Sequence, residues 1–168
     1  ARLNVSVLED VANEDDKQVV ENAELLIDQA ITDLRNISHN LMPSALIRLG
    51  LIPALNDMAA KINSSKQINM MVSAEGISQR LPESFEIALY RVVQEAVNNI
   101  LKHAGATVIQ VNLAKEDDIL KLEISDNGKG MPENAEKNSK GIGWEDIRSR
   151  VSLFNGNMKL YSDPGIGT

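Results

Sequence analysis

The sequence contains no cysteine and no long apolar run. Without cysteine there are no disulfide bonds and no thiolate metal ligands. No apolar segment approaches the roughly 20 residues that a membrane-spanning helix requires, and no basic region leads into an apolar one as in a signal peptide. We therefore expect a cytoplasmic segment that makes no membrane contact itself, and leave open whether its parent protein is anchored in a membrane.

Excess positive charge is also missing. The chain has 168 residues, with 17 Lys and Arg against 24 Asp and Glu, and its formal net charge is −7. A nucleic-acid-binding surface needs clustered cations that displace phosphate counterions, so we expect no nucleic-acid partner. A nucleotide is not excluded, because backbone N–H groups, a helix N-terminus and a metal ion can hold a triphosphate with few cationic side chains.

The first third of the chain has the spacing of a helical hairpin. Apolar residues alternate steps of three and four at Val20, Ala23, Ile27, Ala30, Leu34, Ile37 and Leu41. This heptad pattern predicts a long helix from about Lys17 to Leu41, and Pro43 marks its end. A second helical stretch is predicted from Ser44 to about Ile62. We interpret residues 1–64 as a partial hairpin whose earlier helix is cut off at the chain start.

From residue 65 to residue 168 the pattern is that of an α+β domain. The predicted elements are, in order, a strand around Ile68–Val72, a helix over Pro82–His103, strands over Thr107–Ala114 and Ile119–Ser125, a helix over Ile142–Phe154 and a strand over Met158–Tyr161. The strands alternate apolar and polar residues, whereas the helices carry an apolar stripe at helical spacing. Because the two central strands are joined directly, this order indicates a mixed sheet covered on one face by helices.

Three polar residues share one flank of the first helix of this domain. Glu95, Asn99 and Lys102 are spaced i, i+4 and i+7, so they lie together beside the apolar stripe. A carboxylate, an amide and an ammonium group could face one pocket there. The same spacing is also typical of a solvated helix face.

Glycine-containing segments follow at three places. Asp126 ends an apolar strand just before Gly128 and Gly130, an arrangement that suits a nucleobase amine but is equally common in plain turns. Gly141-Ile142-Gly143 leads into a helix whose N-terminus suits phosphate, although a lone Gly-x-Gly is more often an ordinary loop. The same alternatives hold for Gly165-Ile166-Gly167-Thr168.

Taken in order, the four segments resemble the four nucleotide-binding motifs of the histidine-kinase branch of the GHKL ATPases, from about Leu81 to Thr168. Upstream, the segment from Asp33 to Pro43 with Leu49-Gly50-Leu51 after it looks like the second dimerisation helix of one histidine-kinase subclass. That subclass pairs with response regulators that have a helix-turn-helix output domain. The resemblance implies the GHKL, or Bergerat, two-layer α/β sandwich preceded by a helical hairpin, and a homodimer formed through that hairpin.

The resemblance also implies the ligands and the residues that hold them. ATP and Mg²⁺ bind, and the γ-phosphoryl group passes to a histidine and then to an aspartate of the response regulator. It assigns Asp126 to the adenine amino group, Asn99 to Mg²⁺ and Glu95 to proton removal at the nucleophile. The implied nucleotide-binding positions are Asn98, Asn99, Lys102, His103, Asp126, Gly128, Gly130, Met131, Gly141, Ile142, Gly143, Gly167 and Thr168.

His39 departs from the pattern of that subclass. The accepting histidine there is followed by an acidic residue and lies on the first helix, whereas His39 is followed by Asn40 and lies on the second. We therefore expect the acceptor to lie upstream of Ala1 and His39 to be a surface histidine. A second departure is the end at Thr168, where the family continues into one more strand.

Two other functions remain open from the sequence. An anti-sigma-type serine protein kinase shares the four motifs but has no preceding hairpin, so the heptad pattern from Val20 to Leu41 disfavours it. A degenerate module that binds a partner without turning over ATP would act as a dimerising scaffold. Mg²⁺-dependent affinity for ATP would separate that scaffold from a kinase.

Overall fold

The computed structural model describes Leu26 and Ile27, residues 43–131 and residues 142–168. The predicted helix over residues 17–41 therefore lies outside the described residues, except for Leu26 and Ile27, which are helical. The segment from residue 43 to residue 168 forms one compact unit. Within the described part of the chain, no helix is long and apolar enough to cross a membrane.

The compact unit contains four α-helices and three strands among its described residues. They are α1 (Ser44–Leu49), α2 (Leu51–Asn63), β1 (Asn69–Glu75), α3 (Glu83–Asn99), β2 (Val108–Glu116), β3 (Ile119–Asp126) and α4 (Ile142–Ser152). β2 lies in the centre of the sheet, parallel to β1 and antiparallel to β3. This mixed sheet with helices confirms the predicted α+β class.

The helices cover one face of the sheet. Along β2, Ile109, Val111 and Leu113 are fully buried, whereas the residues between them are exposed. Strand residues with period two point to one face, so this face packs on the helices. The core also contains residues of α1, α2 and α3, such as Leu55 and Val93, both fully buried. The alternation of apolar residues in the sequence therefore predicted the covered face correctly.

The segment before the sheet differs from the sequence prediction in one way. The helix predicted from Ser44 to Ile62 is broken at Gly50, whose φ of 91° ends α1 before α2 begins. α1 and α2 bury their apolar faces in the same core as the sheet, and the domain division between residues 64 and 65 stays a prediction. That residues 1–64 belong to a dimerisation hairpin stays a prediction.

The last predicted strand does not join the sheet. Residues 158–161 form no ladder with a described strand, and the antiparallel bridge of Asp163 with Gly167 is the nearest extended pairing after α4. The alternation has another cause, because Met158 is half-buried against the small core cluster of Val92, Ala96 and Ile147. An alternating apolar pattern reports burial of one face, and it does not by itself supply a hydrogen-bonding neighbour.

An ion pair between a half-exposed arginine and a buried carboxylate links α1 to α3. Glu86 of α3 keeps only 4% of its side chain exposed and accepts a hydrogen bond from Arg80 Nε at 3.0 Å. The same guanidinium donates to the carbonyl oxygens of Leu46 and Ile47, both at 2.9 Å. These carbonyls belong to the last turn of α1, where the Leu46 carbonyl also accepts the backbone N–H of Gly50 at 3.1 Å. Arg80 therefore neutralises a buried carboxylate and caps a helix at once.

Replacing Arg80 should destabilise the compact unit. We expect Arg80→Ala to lower the free energy of unfolding by about 1–3 kcal/mol, because it leaves the buried Glu86 carboxylate without its hydrogen-bond donor, while the half-exposed position of Arg80 limits the loss. The double variant Arg80→Ala with Glu86→Met should recover a large part of that loss, since it removes the buried charge as well. Urea denaturation of the three proteins measures both effects, and a loss below about 1 kcal/mol in the single variant would contradict this role for the pair.

Candidate functional site

A cavity of about 760 Å³ lies between α3, α4 and β3. Its apolar lining includes Leu122 and Ile124 of β3, Val92 and Ala96 of α3, and Ile147 of α4. Polar side chains, among them Asn99, Asp126 and Thr168, complete this lining. A concave, largely apolar pocket with a few convergent polar groups is the usual form of a small-molecule site.

Asn99 reaches the cavity from the C-terminal end of α3. After this residue the helix widens into a π-helical turn over Ile100–Ala104, which ends at Gly105 with a left-handed φ of 63°. His103 of that turn also lines the cavity, whereas Lys102 is exposed and does not. Such widened turns are common at functional sites because they re-aim side chains at a helix end.

Glu95 and Asn99 meet the start of α4 at Gly143. A Cβ built on Gly143 would collide with the Glu95 carboxylate and lie 3.2 Å from Asn99 Nδ2. The two side chains, one helical turn apart on α3, therefore pack directly on this glycine. The absence of a side chain at residue 143 lets a carboxylate and an amide reach the first turn of α4, as the sequence spacing predicted for their shared flank.

Asp126 enters the cavity from the end of β3. It is the register partner of Ile109, which is fully buried, and residues directly opposite each other in a sheet share a face. Its side chain therefore lies on the helix-covered face. Oδ1 accepts the backbone N–H of Gly128 at 2.7 Å. Among the described residues no other donor bonds this carboxylate, which leaves Oδ2 for a ligand.

Backbone bonds hold the loop after Asp126 in place. The N–H of Lys129 donates to the carbonyl of Ala104 at 2.9 Å, which ties the loop to the π-helical turn. Asn127 Oδ1 accepts the backbone N–H groups of Thr107 and Val108, each at 2.9 Å. The sequence suggested an ordinary Asp-Asn-Gly turn as one alternative. In the structure this turn also connects α3, β2 and the cavity.

Glycines allow the loop after Asp126 and the loop before Thr168 to approach each other through their backbones. Gly167 has a φ of 133°, and a Cβ on it would collide with the carbonyl oxygen of Asp126. A Cβ on Gly130, at φ 66°, would collide with the carbonyl of Asp163. Close backbone approach is a structural reason for both glycines.

The predicted site residues therefore fall into two groups, those that line the cavity and those that do not. The cavity lining contains Asn99, His103, Asp126, Gly130, Met131, Gly143 and Thr168. Five predicted positions do not line it, and these are Glu95, Asn98, Lys102, Gly128 and Gly167. Gly141 lies outside the described residues, and Ile142 is described only as the first residue of α4.

Other residues of the site escaped sequence reasoning. Lys129 and Trp144 line the cavity. The sequence analysis did not predict them as site residues, because it assigned the ligand contacts to the neighbouring glycines. Ser162 does not line the cavity but hydrogen-bonds to Met131, Gly167 and Thr168. Its only sequence signal is its position before Asp-Pro-Gly, which indicates a turn and nothing more.

The protein oxygens near the cavity could coordinate Mg²⁺ only together with atoms of a bound ligand. Among the described residues no group of three or more His, Cys, Asp or Glu side chains could hold a metal ion. Mg²⁺ is commonly held by one or two protein oxygens together with substrate phosphates and waters. Asn99, which lines the cavity and carries one amide oxygen, is suited to that minimal role.

These features define a class of protein: an α/β sandwich with a largely apolar cavity between the helical layer and the end of a strand, a form that suits a nucleotide. Comparison with known proteins agrees. Residues 85–168 match the family of histidine kinase-, DNA gyrase B- and HSP90-like ATPases. A solved histidine kinase domain from the blue-light activated histidine kinase of Erythrobacter litoralis EL346 shares the fold, with a TM-score of 0.56, 20% identity and coverage of 67% of this chain and 55% of that one.

Two similar proteins, both histidine kinases, indicate which branch of this family the chain resembles. Over 131 residues the chain is 40% identical to the signal transduction histidine-protein kinase/phosphatase DegS of Bacillus subtilis (strain 168), which covers 75% of this chain and 34% of that protein. Over 162 residues it is 32% identical to the sensor histidine kinase MctS of Rhizobium johnstonii, with coverage of 91% and 35%.

The chain belongs to the family of histidine kinase-, DNA gyrase B- and HSP90-like ATPases. Its similarity to sensor histidine kinases confirms the predicted resemblance to the histidine-kinase branch of these ATPases. The chain spans only about a third of the length of these two relatives, 34% and 35%.

Proposed function

We propose that this chain is the ATP-binding catalytic part of a sensor histidine kinase, which transfers the γ-phosphoryl group of ATP to a histidine and from there to a response regulator. The observation that supports it most is the single cavity that Asp126, Asn99 and Gly143 enter from three different elements. An acceptor for a base amine and a helix start suited to phosphate thus share one pocket.

The roles follow from the chemistry of each group. Asp126 Oδ2 accepts a hydrogen bond from the adenine amino group, while the apolar lining around Ile124 covers the base. Asn99 would hold Mg²⁺, which when bound neutralises charge on the transferring phosphoryl group. Glu95 accepts the proton of the attacking histidine. His103 and Lys129, both in the cavity lining, donate hydrogen bonds to the phosphates.

The surroundings of this module in its parent protein are also proposals. Residues 1–64 contribute to a helical hairpin through which two copies dimerise, and the segment works in the cytoplasm. The partner is a response regulator with a helix-turn-helix output domain, as the segment from Asp33 to Pro43 suggests. His39 is not the expected acceptor, since Asn40 follows it in place of an acidic residue.

Incubation with γ-labelled ATP and Mg²⁺ tests the proposal on the chain itself. ATP binding is measured in the same sample as acid-labile, alkali-stable phosphate on the protein. We expect Mg²⁺-dependent binding and no label on His39, so the His39→Gln variant should behave like the wild type. Label that disappears in His39→Gln would make His39 the nucleophile. Absence of ATP binding would instead favour the degenerate scaffold.

Gly143→Ala should separate the metal contribution from the rest of ATP binding. The new methyl group would push on the ends of the Glu95 and Asn99 side chains, which can move. We therefore expect the free energy of unfolding to change by less than about 1 kcal/mol, since alanine also favours the helix. ATP affinity in Mg²⁺ should fall about three- to tenfold, the value of a typical hydrogen bond.

Titrations of this variant with and without Mg²⁺ provide the control. Without the metal ion, wild type and Gly143→Ala should bind ATP equally well. An equal loss in both conditions would mean that Gly143 acts on the base or the phosphates and not on the metal position.

A further inference from the structure

The hydroxyl of Ser162 contacts three groups at the base end of the cavity. It accepts the backbone N–H of Met131 at 2.8 Å and donates to the carbonyl oxygen of Gly167 at 3.0 Å. Its third contact is Thr168 Oγ1, also at 3.0 Å, where either hydroxyl could be the donor. Ser162 is half-buried and is not itself part of the cavity lining.

Counting protons decides the direction of the third bond. A serine hydroxyl has one proton and two acceptor sites. A carbonyl cannot donate, so the bond to Gly167 uses the only proton of Ser162. The Met131 N–H takes one acceptor site of Ser162, and the other is left for Thr168. All three contacts are hydrogen bonds at once only if the Thr168 hydroxyl donates to Ser162.

The direction of this hydrogen bond determines whether the Thr168 hydroxyl can donate to a ligand or only accept from it. Thr168 lines the cavity beside Asp126, and its carbonyl accepts the backbone N–H of Asp126 at 2.9 Å. With its proton held by Ser162, the Thr168 hydroxyl offers only lone pairs to the cavity. Asp126 Oδ2 is likewise an acceptor. The polar groups at this end therefore match a ligand edge that donates.

We propose that Ser162 is a positioning residue for base selection: by holding the Thr168 proton, it makes this end of the cavity favour a 6-amino purine over a 6-oxo purine. The inference rests on the proposed function, because it presumes that Asp126 receives the base. An adenine presents an N–H donor at its 6-position, whereas a 6-oxo purine presents a carbonyl acceptor there. In that position a 6-oxo base faces the acceptors Asp126 Oδ2 and Thr168 Oγ1, and a buried acceptor that meets an acceptor instead of a donor is costly.

Affinities of the full chain for ATP and inosine triphosphate test the proposal. The two nucleotides share sugar and phosphates and differ at the 6-position and N1 of the base. We expect the wild type to prefer ATP, and Ser162→Ala to lower the ATP-to-inosine-triphosphate affinity ratio about three- to tenfold, because the freed Thr168 proton can then reach a 6-oxo group. Ser162→Thr, which keeps a hydroxyl, should retain the wild-type ratio. A uniform loss of affinity in Ser162→Ala with an unchanged ratio would overturn the inference.

Thr168→Val provides an independent measurement if Ser162→Ala does not fold. If the Thr168 hydroxyl is an acceptor only, its removal should weaken ATP more than inosine triphosphate. An equal or larger loss for inosine triphosphate would show that Thr168 donates into the cavity and would overturn the inference. Wild-type chain that binds neither nucleotide would contradict the proposed function itself, which is a distinguishable result.

Discussion

Asp126→Asn should lower the affinity for ATP about 10- to 100-fold while leaving the fold intact, because one hydrogen bond to a charged acceptor contributes about 1.5–3 kcal/mol. Asparagine has nearly the shape of aspartate, and its amide oxygen can still accept the Gly128 N–H that Oδ1 accepts at 2.7 Å. Its amide nitrogen, however, would point a donor at the adenine amino group. Isothermal titration with ATP in the presence of Mg²⁺ measures the loss.

Two controls accompany the Asp126 variant. Its urea denaturation should match that of the wild type within about 0.5 kcal/mol, since no described backbone bond is removed. Inosine triphosphate should lose less affinity than ATP, because the asparagine amide can donate to a 6-oxo group. ATP affinity within twofold of the wild type would place the adenine amine elsewhere in the cavity.

Gly167→Ala should destabilise the protein by about 2–6 kcal/mol, which combines backbone strain of about 1–3 kcal/mol with overpacking of similar size. At a φ of 133° an L-residue is strained, and its Cβ would collide with the Asp126 carbonyl. Since the collision displaces Asp126, the proposed acceptor of the adenine amine, ATP affinity should fall as well.

Gly165→Ala is the matched control for this effect. Gly165 lies two residues away in the same loop at a φ of 82°, and a Cβ on it meets nothing within 4 Å. We expect it to cost only the strain, about 1–3 kcal/mol, and to leave ATP affinity unchanged. Urea denaturation and ATP titration of both variants give the comparison. Equal losses of stability and affinity would mean that contact with Asp126 does not explain Gly167.

Strong periodic patterns in the sequence predicted most of the sheet and its helical cover. The stripe through Val93 and Val97 predicted α3, and the two alternating segments predicted the hairpin of β2 and β3 within two residues of their observed ends. Alternation also identified the buried face of β2. These features depend on burial, which the order of apolar residues records directly.

Features that depend on one backbone angle or one distant contact were not predictable. Nothing in the helical spacing from Ser44 to Ile62 indicated that Gly50 would take a left-handed φ and interrupt the helix. In the sequence, Arg80 has the features of an ordinary surface residue. Its carbonyl partners in α1 lie more than 30 residues earlier in the chain. Local patterns carry no information about such partners.

The sequence motifs predicted the site residues, and the structure shows which of them line the cavity. Asp126 and Asn99 were both expected at the ligand, and both line the cavity. That Gly128 and Gly167 bind nucleotide stays a prediction; in the structure both allow close backbone approach, because a Cβ on either would collide with neighbouring residues. Lys102 shares a flank with Glu95 and Asn99, yet the π-helical turn after Asn99 changes the helical phase and leaves it exposed.

An NMR titration of the ¹⁵N-labelled chain with ATP and Mg²⁺ tests the location of the nucleotide most directly. We expect saturable shifts concentrated on the amides of Gly128, Gly130 and Gly143 and on the side-chain amide of Asn99, with the last of these lost when EDTA removes the metal ion. No shifts at millimolar ATP, or shifts confined to α1 and α2, would contradict ATP binding in the cavity between α3, α4 and β3.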